Sequence, residues 1–169
     1  MVVQKIYFDM DSVLADFERG VRELCGMTPP SQNGVKDSKA DDEMWDRIRK
    51  VDHFYDWLEM MPGSEALFHE LYEKYGDKCE ILTGIPKEKR HIKDAGEDKT
   101  KWVHRLLAKD IKVNIVYRED KKNYCTGPAC VLIDDMEKNI REWKEFGGTG
   151  ILFKDAGDAR KQLEKLGIL

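Results

Sequence analysis

The sequence runs to 169 residues, 41% hydrophobic and 37% charged, the balance of a soluble globular protein, and a chain of that length needs neither disulfide nor metal to fold. Lys and Arg number 29 against 33 Asp and Glu, for a formal charge of −4, which argues against a protein that coats nucleic acid polymers. No apolar run approaches the ~20 residues that span a bilayer, and acidic residues from Asp9 onward interrupt any N-terminal leader, so a cytoplasmic protein off the membrane is expected.

A first strand is predicted over residues 2–8, ending at Asp9. From about residue 19 to 62 no strand is convincing. That stretch has a helical continuation after Asp16, a polar Pro-Pro-Ser-Gln-Asn-Gly loop, and an aromatic cluster of Trp45, Phe54, Tyr55 and Trp57. It reads as a small helical cap, residues 18–63, inserted into a core made of residues 1–17 and 64–169. Phe54, Tyr55 and Trp57 are expected mainly in the cap interior, with one facing a substrate.

Ser64 is placed to cap a helix carrying Leu67, Phe68, Leu71 and Tyr72 and stopping at Gly76. Strands follow over residues 79–82, 113–117, 130–133 and 150–153. Apolar stripes at Trp102/Val103/Leu106/Leu107, Ile140/Trp143/Phe146 and Leu163/Leu166 supply helices between and after them. Short strands without polar alternation suit burial on both faces. Strands alternating with helices predict an α/β fold, a parallel sheet between two helical layers.

The four cysteines, Cys25, Cys79, Cys125 and Cys130, form no Cys-x-x-Cys pair and share no zinc spacing with His53, His69, His91 or His104. They read as free thiols, with Cys79 buried. The basic run at residues 87–91 reads as a solvated loop able to attract anions.

Chemistry-bearing residues fall at strand ends: Asp9 and Asp11 after the first, Thr83 and Gly84 after the second, Asp134 and Asp135 after the fourth. In an open parallel sheet the carboxyl ends of the strands face one crevice, where ligands bind. Carboxylates converging there need a cation, and an all-oxygen donor set favours Mg²⁺. An aspartate nucleophile suits phosphoryl transfer, with a second carboxylate as proton donor and a lysine, Lys121 or Lys122, to neutralise the phosphoryl oxygens.

Asp9-Met10-Asp11-Ser12-Val13-Leu14, Leu82-Thr83-Gly84, Lys121 and Ile133-Asp134-Asp135 come in the order of the four motifs of the haloacid dehalogenase superfamily of phosphatases, which the chain resembles. Leu14-Ala15-Asp16-Phe17-Glu18, the aromatic run 54–57 before Pro62-Gly63, Lys101-Trp102-Val103 and Arg118-Glu119-Asp120-Lys121 are similar to the 5′(3′)-deoxyribonucleotidases within it. This second resemblance covers about residues 3–153. It implies a Rossmann-like α/β/α core and a phosphomonoesterase acting on deoxyribonucleoside monophosphates or, as the alternative, on another small phosphorylated metabolite.

By the same resemblance Asp9 is the nucleophile and Asp11 the general acid/base. Mg²⁺ is held by Asp9, the Asp11 carbonyl and Asp135, with Asp134 adjoining. Thr83, Gly84 and Lys121 bind phosphate, and Phe17 stacks on the base. Enzymes of that family are often dimers, so the resemblance extends to a homodimer. The chain departs from the family at Ser12, where the family has glycine, and at Gly84, where it has serine. Trp45 does not align cleanly with the family's base-contacting aromatic.

Overall fold

A parallel five-stranded sheet forms the centre of the molecule in a computed structural model that describes all 169 residues. In chain order the elements are β1 (Lys5–Phe8), α1 (Phe17–Cys25), α2 (Ser38–Arg49), α3 (Ser64–Tyr75), β2 (Cys79–Gly84), α4 (Ala95–Leu106), β3 (Val113–Val116), β4 (Cys130–Asp134), α5 (Glu137–Glu145), β5 (Thr149–Leu152) and α6 (Ala156–Lys165). Short 3₁₀ turns at Phe54–Trp57 and Arg118–Tyr124 complete the regular structure near the site. The strand order is β3-β2-β1-β4-β5, with every neighbour parallel. This is the predicted α/β class, and no helix is long and apolar enough to cross a membrane.

Alternation along the central strands sorts side chains to the two faces. Ile6, Phe8, Ile81, Val131 and Ile133 join one cluster with residues of α3, α4 and α6. Tyr7, Leu82, Cys130 and Leu132 join the other, with Ile140 and Trp143 of α5. Both faces are therefore covered, which is why the strands read as continuous apolar runs. The larger cluster also takes in Phe17, Val21, Met44, Ile48, Phe54 and Tyr55, so the helical segment after β1 packs into the same apolar core as the sheet.

Several local expectations need correction. β1 begins at Lys5, because the strands beside it pair only from there, and Val2 is exposed. β3 stops at Val116, one residue short. Gly63, in left-handed backbone, is the residue that opens α3, and Ser64 does not cap it. The Ser64 hydroxyl instead donates to the Val13 carbonyl, tying the helix start to the loop after β1. Trp57 lies at the surface with its indole N–H donating to the Asp52 carbonyl, whereas Phe54 and Tyr55 are buried as expected. The basic run is ion-paired: Lys87 with Glu119 and Arg90 with Asp42. All four cysteines are free, and burial pushes the Cys79 thiol up to about 12.

Candidate active site

The parallel register carries chemistry from sequence into space. Phe8 lies opposite Ile133, so Asp9 and Asp134 emerge side by side from adjacent strands, and the Asp9 N–H donates to the Ile133 carbonyl at 2.9 Å. After Asp9 the chain folds into a tight loop in which the Met10 carbonyl accepts from Leu14 and Ala15, each at 2.9 Å. Ser12 stands in this loop at φ 64°, left-handed backbone that favours glycine. The loop turns Asp11 over the crevice that Asp9 also lines.

Lys121 arrives from the 3₁₀ turn after β3. Its buried ammonium donates to Asp9 Oδ1 and to Asp134 Oδ2, both at 2.8 Å. Burial alone would lower its affinity for a proton, but the two carboxylates outweigh burial and hold it above the ordinary lysine value. Lys122 points elsewhere, with its Nζ 5.8 Å from the centre of the Phe146 ring. Asp134 is wholly buried and also accepts from the Met136 N–H at 2.9 Å and from Asn139 Nδ2 at 3.0 Å.

Oxygen atoms of Asp9, Asp134 and Asp135 lie within 4.8 Å of one another. Burial, then repulsion by Asp9 and Asp134, pushes the Asp135 carboxyl well above the usual carboxylate range. One ammonium does not balance three such carboxylates. Excess negative charge on hard oxygen donors is what a small divalent cation relieves, so this corner of the crevice fits Mg²⁺.

Asp11 has a partner that strand-end reasoning does not find. Lys99, fully buried on α4, donates to Asp11 Oδ2 at 2.8 Å, to Thr83 Oγ1 at 3.1 Å and to the Gly84 carbonyl at 2.6 Å. Its Nζ also lies 4.5 Å from the centre of the Tyr55 ring. Thr83 is wholly buried against Lys99, whereas Gly84 lines the crevice. Asp11 Oδ1 and the Tyr55 hydroxyl are buried without a hydrogen-bond partner. A signal for Lys99 did exist. Ala95, Asp98, Lys99, Trp102 and Val103 make the buried stripe of α4 at helical spacing, and two charged residues in such a stripe need partners.

The same crevice is also lined by Phe17, Met44, Trp45 and Tyr55. Phe17 stands 6.1 Å from Trp45 with the rings tilted at 46°, and 5.8 Å from Phe54 edge to face. Trp45 thus faces the crevice despite its slipped position in the sequence. Arg118 lines the mouth and is held by Asn139 at 3.0 Å and Glu142 at 3.1 Å. Asp9, Asp11, Phe17, Gly84, Lys121 and Asp135 all line this one crevice, and Thr83 and Asp134 lie buried directly behind it.

Solved structures with the same fold include a haloacid dehalogenase-superfamily hydrolase from Ehrlichia chaffeensis, 15% identical at a TM-score of 0.56 over 98% of each chain. A haloacid dehalogenase family hydrolase from Deinococcus radiodurans R1, solved with bound phosphate and sodium, is 13% identical at a TM-score of 0.54, covering 99% of this chain and 97% of that one. A hydrolase from Streptococcus pneumoniae TIGR4 is 11% identical at a TM-score of 0.53, covering 97% of this chain and all of that one. No curated protein matches the sequence closely enough to count as a relative. Residues 2–164 match the family described as 5′ nucleotidase, deoxy (pyrimidine), cytosolic type C protein. The chain belongs to that family, and is a 5′-nucleotidase-like phosphatase with the fold of the haloacid dehalogenase hydrolases.

Proposed function

We propose that the chain is a Mg²⁺-dependent phosphomonoesterase of deoxyribonucleoside monophosphates that works through an aspartyl-phosphate intermediate. The observation that carries this reading is one crevice lined both by the carboxylate–lysine cluster and by aromatic side chains. A phosphate needs the first, and a flat base needs the second. In this reading residues 18–63 form the cap over a core of residues 1–17 and 64–169, and the setting is the cytosol of the family's description.

Asp9, Asp135 and the Asp11 carbonyl would hold the cation, with Asp134 adjoining. When bound, it supplies positive charge to the phosphoryl oxygens. Lys121 fixes the rotation of Asp9, so that its carboxylate is presented to phosphorus in one orientation. An Asp9 oxygen forms a bond to phosphorus as the ester P–O bond breaks. Asp11 delivers a proton to the departing alkoxide, becoming the base that deprotonates the water of the second step. That water attacks phosphorus, releasing inorganic phosphate and restoring Asp9. Lys99 holds Asp11 by Oδ2 and so fixes the carboxyl group that lines the crevice.

The test is phosphate release from dTMP, dUMP, dGMP, UMP, a 3′-nucleotide, a sugar phosphate and p-nitrophenyl phosphate, each with and without Mg²⁺. Cation-dependent release favouring the deoxynucleotides is expected, with Asp9→Asn folded but slower by at least ~10³-fold. Release confined to the sugar phosphate would keep the chemistry and overturn the nucleotide assignment. An active Asp9→Asn protein would overturn the covalent mechanism.

A further inference from the structure

The turn that carries Asp135 is held from outside its own strand and helix. Met136, at the N-terminal cap of α5, has no side chain able to cap it, so the first amide of the helix needs an acceptor from elsewhere. Asn33 provides one. Its Oδ1 accepts from the Glu137 N–H at 2.8 Å, and its Nδ2 donates to the Asp135 carbonyl at 2.7 Å. These two bonds span 104 and 102 positions of sequence, from the strap between α1 and α2 to the far side of the crevice. Together they fix the peptide groups on both sides of Met136. The strap is itself shaped locally, with the Asn33 N–H donating to Ser31 Oγ and Gln32 Nε2 to the Pro30 carbonyl. Gln32, next to the bridging residue, lines the crevice together with Met136.

Asn33 touches none of the reacting groups, yet what it grips is the backbone from which the Asp135 carboxylate projects. We propose that Asn33 is a positioning residue. It clamps the strap to the Asp135–Glu137 turn, so that the cation-binding carboxylate is preorganised only while the strap lies across the crevice. The clamp links one wall of the substrate crevice to the cation site through a single side chain. This inference rests on the Mg²⁺-dependent reading above, and it adds a residue that acts on the cation through the turn.

The experiment compares the full chain with its Asn33→Ala variant in two measurements that need no turnover. Calorimetric titration with Mg²⁺ alone reads cation affinity, and amide hydrogen exchange reads the Glu137 N–H. Asn33 is exposed, so removing its amide leaves the core intact, and a melt checks this. Val35→Ser, an exposed change in the same strap, is the control and leaves both readings as in the native chain.

The expected result for Asn33→Ala is ~10-fold weaker Mg²⁺ binding, the scale seen when partners that orient metal ligands are lost, together with faster exchange at Glu137. Faster exchange with unchanged Mg²⁺ affinity would reduce Asn33 to a helix cap and overturn the inference. Unchanged exchange would mean that the clamp is not made in solution, and would also overturn it. A native chain that binds no Mg²⁺ would overturn both this inference and the cation-dependent reading beneath it.

Discussion

Ser12 sits between the two motif aspartates and Val13 at φ 64°, where a side chain crowds its own backbone. Strain of this kind persists at sites whose surroundings dictate the backbone, here the Met10-centred turn that aims Asp11. Ser12→Gly is therefore expected to raise stability by ~0.5–1 kcal/mol, read as a shift in the urea midpoint. Lys99 gives the sharper test at this scale. Lys99→Met keeps the volume but removes the donor that holds Asp11, so kcat is expected to fall by ~10²-fold with a smaller change in KM. An unchanged kcat would remove Lys99 from the proton-transfer machinery. The two lysines also mark where sequence reading succeeds. A lysine at 121 or 122 was legible because both follow a strand, the resemblance favoured Lys121, and the contacts of the two side chains separate them. Lys99 was not, because helix patterning treats a lysine as surface and its partners Asp11, Thr83 and Gly84 are remote in sequence.

At the scale of the element, α4 connects regions that the strands alone would leave independent. Lys99 reaches the site, the Trp102 indole N–H donates to the Leu58 carbonyl at 2.8 Å, and buried Asp98 lies 3.0 Å from His53 Nδ1. The Asp98 carboxylate, by hydrogen bond and by charge, raises the His53 imidazole above its ordinary 6.5. A raised folded-state value means that the pair adds its stability fully below pH 6.5 and loses it as pH rises from there through the higher folded-state value. An NMR titration should thus place the His53 midpoint above 6.5, and Asp98→Asn should return it. On the opposite face, a Cβ at Gly148 would fall 2.3 Å from Trp143 Nε1 and 2.6 Å from Cys125 Sγ. Gly148→Ala is expected to cost ~1–3 kcal/mol in a thermal melt, since the buried indole has nowhere to move. Element existence and order were legible from apolar spacing. Element starts were less so, as with α3, because Gly63 and the Ser64–Val13 bond are set by the loop after β1.

For the whole molecule, charge at the crevice and packing across it act in opposite directions. Asp9, Asp134 and Asp135 repel one another, and a cation that binds only the folded chain stabilises it by ~2.7 kcal/mol at 100-fold saturation. Mg²⁺ should then raise the melting temperature of the native chain by ~5–10 °C. Asp135→Asn should abolish that rise, while its metal-free midpoint stays level or climbs as one of the repelling charges disappears. A Mg²⁺ shift that survives in Asp135→Asn would place the cation elsewhere.

Packing sets a different constraint. One apolar cluster runs from Phe8 and Phe68 to Met44, Ile48 and Phe54, so the helical segment after β1 shares its interior with the sheet. Residues 18–63 therefore have no interior of their own. A chimera that spliced another protein's residues 18–63 into this scaffold would have to redesign the Trp102, Leu58 and Phe17 contacts as well. Changes in specificity by evolution or by engineering are thus more accessible through single replacements on the crevice-facing surface, at Gln32, Met44 and Trp45, than by exchange of the whole segment.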